Sequence, residues 1–339
     1  MEGDSEYFRK RLIDILCATW TAQACSVLAV LGLPDRMAEG MRTSAELAAA
    51  ADLDPAALRR LLAALAEAGV LRQTGDDLFE LSQAGECLRS DEPDSEYGTA
   101  VTYDTEVYQS FDGLLDTVRA GEPALTGRFG GPLYERIGEN PRLTAGIGTA
   151  GSAAPEPRLP SADLFDGAHT VVDVGGGDGG LLAEALGRDP DLHGVLVELP
   201  GAAERARGLL AAAGVLDRVR IAAGSYFDRI PAGGDLYVLR RVLHNWNDEH
   251  VRRVLARVRA AMPSDGRLLV LEQLLPEAPD PTGAEADTGA APPNRIVDLL
   301  MLVLMEGRDR TAQEYTTLLL DSGFAVKSVT PGAIEAIPA

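Results

Sequence analysis

Residues 171–180 read VVDVGGGDGG: an apolar run, an aspartate and a glycine-rich loop that leads into a helical segment. β-Branched valines are typical of a buried strand, and glycines let the backbone turn sharply and approach a ligand closely. Gly175, Gly177 and Gly180 satisfy G-x-G-x-x-G, and Glu198 follows about twenty residues later. The stretch therefore predicts the first strand, loop and helix of a sheet that binds a nucleotide-type cofactor.

Apolar runs and helical segments alternate on both sides of this loop. The runs that predict strands are 169–174, 194–198, 219–223, 235–239, 267–272 and 324–329. The segments between them that predict helices are 180–188, 201–213, 248–262 and 312–322. Such alternation is typical of parallel strands with helices on both faces, which predicts an α/β, Rossmann-like domain over residues 161–339.

The N-terminal part has a different pattern, predominantly helical. Residues 11–40 form an apolar run, which predicts a helix buried on most sides, as at a subunit contact. Thr43 to Glu46 resembles a capping box, Asp54-Pro55 opens a second helix, and residues 70–82 read as a hairpin. Helix, helix and hairpin predict a winged-helix-like domain over residues 1–100.

Two further segments receive coarser interpretations. Residues 92–160 are mostly helical in pattern but interrupted by glycine and proline, so residues 101–160 are predicted to be a helical connector that covers a cleft. Residues 276–294 are rich in proline, alanine, glycine and acidic residues, which predicts a mobile surface loop.

Charge and cysteine usage limit the classes of function. The net charge of −21 disfavours nucleic acid, whose phosphates require a basic face. A DNA-binding regulator thus remains only as an alternative based on the winged-helix layout. Cys17, Cys25 and Cys87 lack the spacing of a zinc site and are expected to be buried free thiols. The N-terminal residues lack the apolar core of a signal peptide, which favours a cytoplasmic protein without a membrane span.

The glycine loop by itself fits a dinucleotide dehydrogenase as well as a methyl-donor enzyme. Asp173 distinguishes them, because a carboxylate at the end of the first strand would repel a pyrophosphate. It suits a cofactor that carries an ammonium and a sulfonium. The loop therefore favours a cationic cofactor, with Glu198 available to accept hydrogen bonds from ribose hydroxyls.

His244 lies where residues 235–239 end and a helix beginning near Asn247 follows. The carboxyl ends of strands in open α/β sheets are where ligands bind. An imidazole titrates near neutral pH, so His244 is a candidate general base for a hydroxyl proton.

Seven motifs occur in order along the chain. They are DVGGGDG (173–179), VELP (197–200), GSYF (224–227), VLHNWNDEH (242–250), GRLLVLEQLL (266–275), DLLMLV (298–303) and GRDRT (307–311). Together they resemble the plant caffeic-acid-type O-methyltransferase family and its bacterial secondary-metabolite branch. The resemblance covers nearly the whole chain and implies an N-terminal winged-helix-like dimerisation domain, a homodimer and S-adenosylmethionine as cofactor, with S-adenosylhomocysteine as product.

The resemblance also implies roles for individual residues. The implied cofactor-binding residues are Asp173, Gly175, Gly177, Glu198, Leu199, Gly224, Ser225, Tyr226, Phe227 and Arg240. Ser225 stands where the family usually has Asp, so a hydroxyl would replace a carboxylate beside the adenine amine. The implied catalytic group is His244, supported by Glu272 and by Asp309, which is one methylene shorter than the family's Glu. Asn245 replaces the family's usual Asp.

The expected reaction is methyl transfer to a hydroxyl of a small aromatic natural product, such as an antibiotic precursor. His244 would remove the hydroxyl proton, and no metal ion is expected. Trp246, Asp298, Met301 and Met305 are candidate substrate contacts, although core packing explains the apolar ones equally well. The substitutions at residues 225, 245 and 309 leave an alternative open: the same fold performing hydroxylation, decarboxylation or cyclisation.

Overall fold

A computed structural model describes residues 2–92, 95–131, 133, 136, 143, 162–277 and 295–339. Most of the predicted loop 276–294 lies outside the described residues. The chain divides into two compact units. One comprises Met1–Leu115 and Arg128–Ala153, and the other comprises Asp116–Gly127 and Ala154–Ala339.

Helices dominate the first part of the chain. Its elements are α1 (Glu2–Val30), α2 (Leu33–Ala38), α3 (Ser44–Ala51), α4 (Pro55–Glu67), β1 (Leu71–Gly75), β2 (Leu78–Leu81), α5 (Gln83–Glu86), α6 (Tyr97–Thr102), α7 (Glu106–Ser110), a 3-10 turn (Phe111–Gly113), α8 (Leu114–Ala120) and α9 (Ala124–Phe129). The consecutive elements α3, α4 and the antiparallel β1–β2 hairpin confirm the predicted helix, helix and hairpin layout.

Local hydrogen bonds explain where these helices begin. The Thr43 hydroxyl accepts from the Glu46 amide, and the Glu46 carboxylate accepts from the Thr43 amide, which completes the predicted capping box. The Asp54 carboxylate accepts from the Ala57 amide at the start of α4. Each cap contributes about 1 kcal/mol to helix stability. Behind them, Leu62 and Phe79 are fully buried in the core of this unit.

The first helix differs from the prediction in extent and in burial. Gly32 adopts a left-handed conformation that separates α1 from α2, so the run is two helices. The N-terminal half of α1 is largely exposed within one chain: Leu16 is 65% and Trp20 71% exposed. Within one chain, the described residues of this unit do not cover this apolar face, so the burial that was expected at a subunit contact is not supplied by the chain itself.

The cysteines also differ from the expectation. All three are free thiols, as predicted, but Cys17 and Cys25 are only half-buried and Cys87 is exposed. Cys17 and Cys25 lie on α1, whose incomplete coverage within one chain accounts for their exposure.

The second unit contains, among its described residues, a seven-stranded sheet. Its strands are β3 (Thr170–Val174), β4 (His193–Glu198), β5 (Val219–Ala223), β6 (Leu236–Arg240), β7 (Arg267–Leu271), β10 (Phe324–Thr330) and β11 (Ala333–Pro338). The accompanying elements are α10 (Gly180–Arg188), α11 (Pro200–Ala212), α12 (Asp248–Ala261), α13 (Arg295–Leu304), α14 (Ala312–Asp321), a short β8–β9 pair (Leu274–Leu275, Arg310–Thr311) and 3-10 turns at Ala162–Phe165, Leu216–Arg218 and Leu243–Asn245.

The sheet is mixed: the strands that the sequence predicts run parallel to one another, and one strand that it does not predict runs antiparallel to them. The strand order is β10-β11-β7-β6-β3-β4-β5. Strands β3 to β7 pair in parallel, whereas β11 runs antiparallel to both β7 and β10. The reversal occurs at Pro331-Gly332, where Gly332 has a φ of 78° that suits glycine. The sequence-based interpretation missed β11, although a Pro-Gly pair is a turn signal.

The order of strands positions the site. β3 lies between β4 and β6, which follow it in opposite directions across the sheet. Ligands bind at such switch points, outside the carboxyl ends of the strands. Both faces of β3 are covered, with Val171 in one apolar layer and Val172 in the other. The carboxyl edge of the sheet at β3 is therefore where the described residues leave room for a cofactor and the reacting groups to meet.

Candidate active site

The glycine loop passes directly over Asp173. A Cβ added to Gly176 would lie 2.2 Å from Oδ2 of Asp173, so any other residue there would displace the buried carboxylate. Gly175 and Gly177 have φ angles of 74° and 60°, which favour glycine. Gly179, at 82°, is the N-cap of α10. These conformations bring the loop backbone against the carboxylate at the end of β3.

Asp173 is a fully buried carboxylate, and neither of its oxygens accepts a hydrogen bond from the described residues. Burial raises its pKa to about 7, opposed by the positive charge of Arg240 and reinforced by the negative charges of Glu198 and Asp178. Burying an unpaired carboxylate is costly. A cationic group of a ligand would relieve this cost, so the site fits a cofactor that carries an ammonium and a sulfonium.

Glu198 ends β4 beside this loop. Its Oε2 accepts from the Gly177 amide at 3.0 Å and its Oε1 from the Leu199 amide at 2.6 Å. Burial raises the pKa of Glu198, while these two amides lower it. The Gly224 amide donates to the Glu198 carbonyl at 2.9 Å, which joins the next motif to the same strand end. The carboxylate is thus fixed at the position that the sequence predicts for a ribose contact.

The motif at residues 224–227 contributes aromatic rings. Trp246 Nε1 donates to Tyr226 Oη at 2.9 Å, and the Trp246 and Phe227 rings meet edge to face at 4.7 Å. Burial raises the pKa of Tyr226 well above its usual range. The Ser225 hydroxyl accepts from the Phe227 amide, so it is engaged in its own turn. Trp246, predicted as a substrate contact, is joined to residues predicted to bind the cofactor.

His244 lies in the 3-10 turn that follows β6. It is 7% exposed, and its Nδ1 is 3.3 Å from Asp309 Oδ1 and 3.8 Å from Glu272 Oε2. Arg241 begins this turn with a φ of 53°, which is unusual for a residue with a side chain. The side-chain amide of Asn245 donates to the Arg241 carbonyl at 3.0 Å, a bond that the carboxylate of the family's usual Asp could not make.

Glu272 fixes the backbone of the same turn. Its Oε1 accepts from the amides of Val242, Leu243 and His244 at 3.0, 2.8 and 3.3 Å. Burial raises the pKa of this carboxyl, and the charge of His244 lowers it. The distances therefore make Asp309, the shorter of the two predicted supporting carboxylates, the direct partner of the imidazole.

Asp298, Met301 and Met305 occupy different environments. Asp298 Oδ1 accepts from the Asp309 amide at 2.7 Å, which connects it with the imidazole's partner rather than with an apolar pocket. Met301 is half-buried, and Met305 is buried at 6% exposure. Of the two methionines, Met301 retains the greater accessible surface for the predicted substrate contact.

Sequence reasoning missed Arg310 and Gly307, which lie on either side of Asp309. Arg310 is fully buried and donates to the Leu243 and Trp246 carbonyls that flank His244. A buried arginine inside a polar motif has no distinctive sequence pattern. Among the described residues, no group of three or more His, Cys, Asp or Glu side chains could hold a metal ion.

The fold and the site together define a class of protein. It has a Rossmann-like domain, a cofactor site at the carboxyl ends of β3 and β4, and a buried His–Asp pair after β6. Residues 111–325 match the O-methyltransferase domain family, and residues 13–91 match the O-methyltransferase dimerisation domain. The chain belongs to the S-adenosylmethionine-dependent O-methyltransferase family. Its cofactor is S-adenosylmethionine, and its dimerisation domain supports a homodimer.

Two relatives of this chain come from Streptomyces species. O-demethylpuromycin-O-methyltransferase of Streptomyces alboniger is 38% identical over 345 residues, covering 97% of this chain and 89% of that protein. Aclacinomycin 10-hydroxylase RdmB of Streptomyces purpurascens is 36% identical over 329 residues, covering 94% and 85% of the two chains. Proteins similar to this chain thus include one whose name indicates a different reaction.

Solved structures show the same fold. Mitomycin 7-O-methyltransferase MmcR superposes with a TM-score of 0.88 at 33% identity and covers all of both chains. NcsB1, an O-methyltransferase from neocarzinostatin biosynthesis, superposes with a TM-score of 0.79 at 31% identity, covering 94% of this chain and 96% of that one. Its structure contains S-adenosylmethionine and 2-hydroxy-5-methyl naphthoic acid.

Proposed function

We propose that this enzyme methylates a hydroxyl, in particular a phenolic one, of a small aromatic natural product, with His244 as general base. The observation that carries the proposal is the buried contact between His244 Nδ1 and Asp309 Oδ1 at 3.3 Å. A carboxylate at Nδ1 favours the tautomer that has its proton there and leaves Nε2 able to accept the hydroxyl proton. It also stabilises the imidazolium that results.

The residues proposed to hold the cofactor are those at the ends of β3, β4, β5 and β6. They are Asp173, Gly175, Gly177, Glu198, Leu199, Gly224, Ser225, Tyr226, Phe227 and Arg240. The Asp173 carboxylate supports this set, because it accepts no hydrogen bond from the described residues and a cationic group of the cofactor would offset the cost of its burial. When bound, S-adenosylmethionine supplies a methyl group already activated by a sulfonium. The chain's own contribution is to orient the acceptor and to remove its proton.

The direct test uses the full-length protein and S-adenosylmethionine with a labelled methyl group. A panel of phenols, including 2-hydroxy-5-methyl naphthoic acid, is compared with the corresponding methyl ethers, which lack the free hydroxyl. The proposal expects label in at least one phenol and in none of the ethers. Label in none of the phenols, with S-adenosylhomocysteine still bound in calorimetry, would reject it.

A second candidate function is non-methylating chemistry on the same fold. The similarity to an aclacinomycin 10-hydroxylase supports keeping it. The same incubation distinguishes the two functions. A hydroxylated, decarboxylated or cyclised product carries no label, and its mass differs from that of the methylated product. The buried His–Asp pair favours methyl transfer, since that reaction needs a base for the hydroxyl proton.

We also propose that the apolar face of α1 packs against a second copy of the chain. Leu12, Leu16 and Trp20 are more than half exposed on α1, and the dimerisation-domain match begins at residue 13. Exposed apolar surface of this kind marks an interaction site. Leu16→Glu with Trp20→Glu should convert a dimer into a monomer in analytical ultracentrifugation. Arg60→Glu on α4 is the control and should leave the dimer intact.

Residues 6–30 are also long and apolar enough to cross a membrane by length and composition. We propose instead that this segment forms a contact between subunits and that the protein is cytoplasmic. Nucleic acid is not proposed as a partner of the winged-helix-like region. In that region Arg59 pairs with Asp76 at 2.8 Å and Arg72 with Glu80 at 3.0 Å, so its arginines face carboxylates.

A further inference from the structure

The backbone at Gly307 lies directly against the backbone of the turn that carries His244. A Cβ added to Gly307 would lie 2.0 Å from the His244 carbonyl oxygen and 2.3 Å from the Trp246 nitrogen. Real side chains do not tolerate such distances, and the atoms they would strike are backbone rather than flexible side chain. Glycine at this position therefore permits an approach that every other residue would prevent.

Arg310 joins the same two segments from the other side of Asp309. Its guanidinium donates to the carbonyls of Leu243 and Trp246 at 3.2 and 2.7 Å, and to the Arg308 carbonyl at 3.2 Å. Asp248 accepts from the same group at 2.7 Å, which pairs the buried charge. The planar fork of an arginine can reach several acceptors in fixed directions, which a lysine ammonium cannot.

Asp298 makes a third contact with the segment that carries Asp309. It extends from α13, and its carboxylate accepts the amide of Asp309 itself at 2.7 Å. The segment 307–310 is thus held against the His244 turn by close backbone packing, by a guanidinium and by a carboxylate. These contacts concern the backbone on both sides of Asp309, so they determine where its short side chain ends.

We propose that Gly307, Arg310 and Asp298 are positioning residues that bring the Asp309 carboxylate to His244 Nδ1. The close approach of the two backbones then compensates for the short carboxylate, so that Asp309 still reaches the imidazole. A side chain at residue 307 would move the segments apart, and a carboxylate longer by one methylene would restore the contact. The inference rests on His244 acting as the base of the proposed function.

The test uses full-length protein labelled with ¹⁵N-histidine, in which the His244 resonance is identified by its loss in His244→Ala. The ¹⁵N shifts report the tautomer of the imidazole without any acceptor substrate. The wild type should have its proton on Nδ1, and Gly307→Ala should give a mixture of tautomers. Gly307→Ala combined with Asp309→Glu should return to the wild-type tautomer. Gly208→Ala, with nothing within 4 Å of the added carbon, is the matched control.

In the methyl-transfer assay, Gly307→Ala should lower kcat roughly a hundredfold, as a displacement of about 1 Å can. KM for S-adenosylmethionine should change little, and the Asp309→Glu double variant should recover at least tenfold of the loss. A folded Gly307→Ala protein with the wild-type tautomer overturns the inference, as does a double variant that fails to restore it.

If Gly307→Ala does not fold, two variants of Asp298 test the inference instead. Asp298→Ala removes the acceptor for the Asp309 amide, whereas Asp298→Asn retains an oxygen there. The inference expects the tautomer to change in the first variant and not in the second. An unchanged tautomer in Asp298→Ala refutes it. If His244 of the wild type carries its proton on Nδ1 but the enzyme methylates no phenol, the proposed function is rejected and the inference about the positioning residues is retained.

Discussion

Asp173 and Glu272 are both buried carboxylates at the ends of strands, yet they differ in how many hydrogen bonds they accept. Asp173 accepts no hydrogen bond from the described residues, whereas one oxygen of Glu272 accepts three from consecutive amides. The cofactor side of the site therefore presents charge that a ligand must satisfy. The base side is already assembled from the chain's own groups. Changes on the first side should alter cofactor binding, and changes on the second should alter turnover.

The largest expected effect is on the base side. His244→Ala should lower kcat by about 10²–10⁴, the usual contribution of a general base. The Kd for S-adenosylhomocysteine should remain within about twofold, because the imidazole is absent from the cofactor-binding set. Steady-state kinetics and calorimetry measure the two quantities. His169→Ala is the control, since that imidazole is 89% exposed and precedes the amino end of β3, whereas the site lies at the carboxyl end of that strand. A raised Kd for S-adenosylhomocysteine in His244→Ala would contradict the division of the site into a cofactor side and a base side.

Asp309→Asn should have the next largest effect, lowering kcat by roughly 10². An amide can present its NH₂ group to Nδ1 and so favour the wrong tautomer. Glu272→Gln should be milder in turnover, because the amide oxygen can still accept from the backbone of the turn. Its cost should be in thermal stability, measured by differential scanning fluorimetry. Equal losses of kcat in the two variants would contradict the assignment of Asp309 as the direct partner.

On the cofactor side, Gly176→Ala should weaken S-adenosylhomocysteine binding by about 5- to 150-fold. This range corresponds to about 1–3 kcal/mol for an atom forced into a filled space. The added carbon would meet Asp173 at 2.2 Å. Gly187→Ala in α10 is the matched control, since nothing lies within 4 Å of its added carbon. That substitution should stabilise the helix by about 0.5–1 kcal/mol and leave binding intact.

The smallest effect is a pH dependence that belongs to Asp173. Burial raises its pKa from 3.8 to about 7, so the folded cofactor-free protein binds this proton more tightly than the unfolded chain. Its contribution to the free energy of unfolding therefore falls as pH rises from about 4 to 7. Binding of a cationic cofactor favours the ionised form, so affinity should rise about tenfold between pH 6 and pH 8.

Calorimetry at several pH values checks this prediction, with Asp173→Asn as the comparison. The variant should bind more weakly at pH 8 and lose the pH dependence that the wild type shows. A wild-type affinity that is flat across this range would mean that Asp173 does not face a cationic group of the cofactor.

Patterns that depend on local chemistry were predictable from the sequence. Alternating apolar runs placed β3 to β7 within one or two residues, and Thr43 and Asp54 marked helix starts, because strand burial and capping act over a few residues. The strand β11 was missed because its pairing with β7 is decided by the whole sheet. The alternation in residues 333–338 and the Pro-Gly turn before it were the available signals.

The candidate site divides in the same way. Motif order indicated His244, Glu272 and Asp309, but the sequence carries no information about which carboxylate reaches Nδ1. That depends on the 3-10 turn after β6, which directs three amides at Glu272, and on the contact of Gly307 with the His244 backbone. Asp298 was predicted as a substrate contact, and its hydrogen bond with the Asp309 amide, which depends on how two distant segments pack, was not predictable from the sequence.

The antiparallel strand β11 has a consequence for the time course of folding. The Glu272 amide donates to the carbonyl of Gly332, the residue before β11, at 3.1 Å. This bond joins positions about sixty residues apart, and contacts of such long range form slowly. Asp173 and Glu198 need only the nearby β3–β4 pairing. During refolding from denaturant we therefore expect S-adenosylhomocysteine binding to return before methyl transfer, with a lag that stopped-flow mixing and timed activity assays can resolve.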